Sequence, residues 1–121
     1  MNYLFVGLGG AIGAFVRFST FNIFNEYFSP STITLIINCL GSFILGYLFY
    51  TVQKKSNPLY LFVTTGMLSG FTTFSTFSSD VVKFLQSGSY IHAVIIVVFS
   101  LLGCVLFASI GAIVAKVGYS K

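Results

Sequence analysis

Four apolar stretches, residues 3–24, 33–52, 59–85 and 90–115, take up most of the 121 residues, and each is long enough to cross the hydrocarbon core of a bilayer. Only short polar or turn-forming runs separate them: residues 25–32 with Glu26 and Pro30, residues 53–58 with Lys54, Lys55 and Pro58, and residues 86–89. Hydrophobic residues make up 56% and charged residues 7%, against about 25% charged in an average soluble domain. A mean hydropathy of +0.97 agrees. The expectation is an all-α membrane protein, one domain over residues 1–121 with four transmembrane helices. Neither a basic segment ahead of Tyr3 nor a small-residue cleavage pattern stands out, so the first stretch is read as a retained span rather than a signal peptide.

The formal net charge of +4 does not make a nucleic-acid binder, because six basic residues scattered over four spans form no stripe. They speak to orientation instead. With a cytoplasmic N-terminus, Lys54, Lys55, Lys116 and Lys121 fall on the cytoplasmic side, against Arg17 and Lys83 towards the other. The positive-inside rule then gives a weak preference for both termini inside. Cys39 and Cys104 fall near mid-span, where thiols pack as small hydrophobes and a structural disulfide is not expected. His92 opens the fourth span as an interfacial ring, and the sequence supplies no partners for a metal site there.

Small residues recur at a spacing of four: Gly9 with Gly13, Ser42 with Gly46, Ala108 with Ala112, Gly111 with Ala115. Lipid provides no hydrophobic drive between helices, so close backbone approach at such pairs is a main source of association, within one chain or between two.

The third stretch departs from this pattern. Residues 70–80, GFTTFSTFSSD, place six hydroxyls and the three-spaced pair Phe74 and Phe77 in a segment otherwise suited to lipid. Such a patch persists at membrane depth only where it faces protein or lines a polar path. Gly66, Ser69, Gly70 and the threonine–serine run are poor helix formers at this density, so a broken third helix is expected. A break frees carbonyls and amides, which are tolerated where they coordinate ions or line a cavity.

Three polar residues interrupt the spans. Arg17 would cost about 2.5–3.5 kcal/mol isolated at mid-helix and less if it snorkels; its functional role would be a cation at a vestibule. Asn38, in the middle of the second span, is either interhelical glue or a donor to a bound group. Asp80 follows two serines and is read as the cap of a second half-helix.

Three ordered motifs carry a resemblance. GGAIGAFVRF at 9–18 is similar to GGxxGAxxRY, TLIINCLGSFILG at 34–46 to GTLxxNxxGxFxxG, and TTGMLSGFTTFSTF at 64–77 to TTGFxGGxTTFSTF, the signatures of the Fluc/CrcB family of fluoride channels. The resemblance spans all four stretches. It implies two four-helix subunits in an antiparallel, dual-topology dimer, in a bacterial plasma membrane, with two fluoride pores along the interface. It also implies a structural sodium ion (Na+) held by the carbonyls of Ser69 and Thr72 at the break. By motif position Asn38, Phe74 and Phe77 match the pore asparagine and phenylalanines; Thr73, Ser75 and Thr76 match the hydroxyl positions, and Arg17 the motif arginine. Ser100 is the fourth-span candidate, with Cys104 one turn on. The family usually has glycine where Ser69 stands, which leaves the geometry of the turn in question.

Physical chemistry makes the implied activity coherent. Fluoride is small and strongly hydrated, so a dry path must replace its water with hydrogen donors such as amides and hydroxyls. Phenylalanine edges are electropositive and meet an anion edge-on. A small four-helix proton-coupled multidrug or cation antiporter is the alternative, and it needs an ionisable group inside the membrane. A purely structural protein gives no reason for the hydroxyl run. An enzyme would need a converging nucleophile, base and orienting group, and none is evident. The expected partners are fluoride, sodium, membrane lipid and a second copy or a related chain.

Overall fold

The computed structural model describes residues 2–52 and 57–120, and these are helical apart from short connections. Met1, Gln53, Lys54, Lys55, Ser56 and Lys121 lie outside the described residues, so the placement of three of the four lysines in the orientation argument does too.

Helix α1 runs Asn2–Phe24 and α2 runs Pro30–Thr51. The second helix begins three residues before the expected 33, because Ser29 caps it: its hydroxyl accepts from the Thr32 amide at 3.3 Å, and Pro30 fills the first position, where no amide is needed. The third stretch is a chain of short pieces. Helix α3 (Pro58–Leu61) opens at the Asn57 cap, a π-helical segment covers Phe62–Leu68, and α4 (Ser69–Phe71) leads to an interruption at Thr72 and Thr73. Both of those threonines are extended, with ψ of 155° and 113°, and α5 then resumes over Phe74–Gln86. The last helix, α6, runs Tyr90–Tyr119 and outlasts the expected end at 115 by four residues. Helices α1, α2 and α6 are each long and apolar enough to cross a membrane; the third stretch is divided between shorter pieces.

Two tight seams hold the chain together, and small residues make both. Helix α1 packs on the π-helical segment and α4: a Cβ on Gly13 would collide with the Met67 carbonyl, and one on Gly9 with that of Phe62. Helix α2 packs most extensively on α6, where Gly46 meets the Ala108 carbonyl and Gly111 meets that of Phe43. These four glycines therefore serve packing within one chain. Outside the seams the molecule is greasy, with large apolar side chains exposed along all three long helices.

Candidate functional site

The interruption at Thr72–Thr73 opens onto a cavity of about 490 Å³ between α2, the third stretch and α6. Asn38, Gly41 and Ser42 line it from α2; Thr64, Ser69, Thr72 and Thr73 from the third stretch; Phe74 and Phe77 from α5; and Ser100 and Cys104 from α6.

Asn38 fixes the break. Its Nδ2 donates to the Thr73 carbonyl at 3.1 Å while the Thr73 amide donates to its Oδ1 at 2.8 Å, so one side chain satisfies both backbone groups of an extended residue. An unbroken helix would give that amide to the Ser69 carbonyl four residues back; here Asn38 takes it. A primary amide has two N–H donors, and the Thr73 carbonyl takes one of them, on a residue that lines the cavity. Glue and donor, left as alternatives by the sequence, are compatible roles for one residue.

Thr73 also starts α5. Its Oγ1 accepts from the Thr76 amide at 3.1 Å, donates to Thr76 Oγ1 at 3.0 Å and lies 3.2 Å from Ser75 Oγ, which links three hydroxyls at the start of α5. The Thr72 hydroxyl is differently engaged, donating to the Leu68 carbonyl at 2.8 Å. Ser69 has φ −65° and ψ −37°, ordinary right-handed helix, so a side chain there costs no backbone strain and the family's glycine is not needed for a turn.

Phe74 and Phe77 sit one turn apart on α5 with ring centroids 5.6 Å apart and planes inclined by 42°. Phe74 is 77% exposed, projecting from the chain at the rim of the cavity. Ser100 is buried and lines the α6 wall. Arg17 is half-buried on α1 and is not part of this lining.

The capping role expected of Asp80 is corrected. Because Thr73 caps α5, Asp80 falls in the interior of that helix. It is buried, with Oδ1 3.7 Å from Lys83 Nζ and no hydrogen-bond partner for Oδ2 among the described residues. The two serines before Asp80 mark no helix boundary; the boundary is set by the Thr73 hydroxyl, which accepts from the Thr76 amide. His92 is exposed and stacks on Phe84 with centroids 5.8 Å apart. Thr64, Gly41 and Ser42 are cavity residues the sequence reading did not single out for the site. Gly41 and Ser42 lie in the motif at 34–46 and Thr64 opens the motif at 64–77, but residue type alone does not mark them as lining.

Comparison with known proteins identifies the family. A sequence model of a family described as CrcB-like protein, Camphor Resistance (CrcB), matches residues 4–112. A protein of Campylobacter jejuni named fluoride-specific ion channel FluC is 44% identical over 117 residues, covering 93% of this chain and 96% of the relative. Proteins of the same name from Magnetococcus marinus and Ruminiclostridium cellulolyticum are 40% and 38% identical over 121 residues. Each alignment covers 96% of this chain, and they cover 98% and 93% of those relatives respectively.

Proposed function

The chain belongs to the CrcB-like family, and from that membership and the cavity at the Thr72–Thr73 interruption we propose that it is a fluoride-specific ion channel. It is a multi-pass protein of the cell membrane that lets cytoplasmic fluoride leave down its gradient and so lowers its toxicity. Conduction makes and breaks no covalent bond, so no catalytic group is assigned.

The observation that carries the reading is the lining itself. Phe74, Phe77, Asn38, Thr73 and Ser100 converge on one cavity from three separate segments, and Ser75 and Thr76 join through the Thr73 hydroxyl. Amide and hydroxyl hydrogens replace the water of a small anion, and ring edges add positive potential without a competing fixed charge. Larger halides, less in need of donors and too wide for a narrow path, gain less. Arg17, half-buried on α1, serves as a cation drawing anions towards the entrance.

A structural sodium ion fits the break. The Ser69 carbonyl has lost the amide an unbroken helix would offer, and the Thr72 carbonyl follows in extended backbone. Unwound carbonyls at a helix end suit a hard alkali cation. Two carbonyls from one chain are too few to enclose it. A second copy, antiparallel across a twofold axis, supplies two more, covers the exposed Phe74 and completes two pores along the interface.

Fluoride release from liposomes containing the purified protein, followed with a fluoride electrode and compared with chloride, tests the function. Fluoride is expected to leave fast and chloride to stay; vesicles as tight to fluoride as protein-free ones would sink the proposal. Buried Asp80 is the one observation favouring proton-coupled antiport, which needs an ionisable group at depth. Uptake of an organic cation driven by a pH gradient would establish that reading instead.

A further inference from the structure

We propose that Cys39 and Cys104 form a two-thiolate site for a divalent thiophilic cation of the mercuric class, in the α2–α6 wall of the cavity. The two thiols are on the packed helices α2 and α6, and both are free. Cys39 is buried, and its Sγ lies against α6 at Gly103, where an added Cβ would come within 3.0 Å of it. The sulfur is thus held beside the residue that precedes Cys104. Gly46 against Ala108 and Gly111 against Phe43 hold the two helices at close spacing, which keeps the segment with Cys104 beside the segment with Cys39. Cys104 is half-buried and lines the cavity, which gives an ion a route to the pair that Cys39 alone does not offer.

Chemistry selects the ion. Binding breaks two S–H bonds, forms two metal–sulfur bonds and releases two protons, so a divalent ion with two thiolates is neutral overall. A neutral complex escapes the penalty of placing net charge in a low-dielectric wall, whereas a monovalent ion such as silver would leave one negative charge there. Soft thiolates favour soft ions, and ions of the mercuric class accept two ligands in a line. Zinc asks for four, and among the described residues no group of three or more histidine, cysteine or acidic side chains exists to supply them.

The site stands independently of fluoride conduction, and so does its test. Purified full-length protein in detergent is exposed to mercuric nitrate, passed over a sizing column with a weak competing thiol, and assayed for metal and for residual thiols after denaturation. One mercury per chain with both thiols consumed is expected, with zinc not retained. Cys39→Ser and Cys104→Ser are each expected to lower retention by at least about tenfold, because one ligand remains. Two mercury ions per chain, one mercury with a thiol still free, or single variants that retain as much as the parent would overturn the proposal. Should a serine variant fail to fold, the sulfur coordination number of the parent complex by X-ray absorption decides: two supports it and one rejects it.

Discussion

In the proposed channel, Asn38 and the two phenylalanines would divide the work of the site at the level of single residues. The amide holds Thr73 at both its backbone groups, so Asn38→Ala leaves two part-buried polar groups unpaired, each costing about 1–3 kcal/mol. The expected result is a lower unfolding temperature in detergent together with lost fluoride efflux. Asn38→Asp separates the two roles. The carboxylate still accepts from the Thr73 amide but faces the Thr73 carbonyl with no hydrogen, and it sets a negative charge on the path. Efflux is expected to fall sharply, and parental efflux in that variant would make Asn38 packing alone. Phe74 is 77% exposed and contributes little to the single-chain core, so Phe74→Ile is expected to leave the fold intact. If its edge contributes about 1–2 kcal/mol to a passing anion, comparable to a ring–cation contact, efflux slows by roughly tenfold. Phe77→Ile should act in the same direction. Unchanged rates in both would remove the rings from the mechanism.

Elements were legible in the sequence to the extent that hydrophobic run length defines them. Three apolar runs became α1, α2 and α6, with ends displaced where a cap or an extra turn intervened: Ser29 began α2 early, and α6 continued through Lys116 to Tyr119. The hydroxyl-rich run gave away an interruption, yet not its position within the run. That depended on a contact 35 residues away, from Asn38 to Thr73, which no local propensity encodes. The local cap at Thr73, rather than the two serines before Asp80, places that residue in a helix interior. The π-helical segment left no trace in composition; Gly66 within it is pressed against Gly9 of α1, and the seam decides its geometry. Seams make their own prediction. Gly46→Val drives methyl groups into the Ala108 backbone and is expected to destabilise by about 1–3 kcal/mol. Gly7 has open space around its Cα, so Gly7→Ala should be neutral or gain up to about 1 kcal/mol from helix propensity. Thermal unfolding of both variants in one detergent checks the contrast; equal effects would deny that the α2–α6 seam is closely packed.

For the molecule as a whole, the proposed dimer turns on what the single chain leaves exposed. The cavity is open, Phe74 is exposed beside it, and the backbone at Thr72 is extended. The proposed second copy in the opposite orientation would close the cavity, cover Phe74 and add carbonyls at the break, and it would require a chain that inserts both ways. Charge gives only a weak steer: four lysines on one side against Arg17 and Lys83, with Arg17 inside α1 and Lys83 in the last turn of α5. A bias so small should not fix a single orientation. Single cysteines placed at position 54 or 55, in a background carrying Cys39→Ser and Cys104→Ser, are therefore expected to react with a membrane-impermeant thiol reagent in part from outside the cell and in full after permeabilisation. Labelling confined to one side would mean that all copies point the same way. The antiparallel partner would then have to be a related chain of opposite bias, and protein purified alone should be monomeric and silent in the efflux assay. Labelling from both sides, with efflux from the chain alone, identifies the homodimer as the conducting unit.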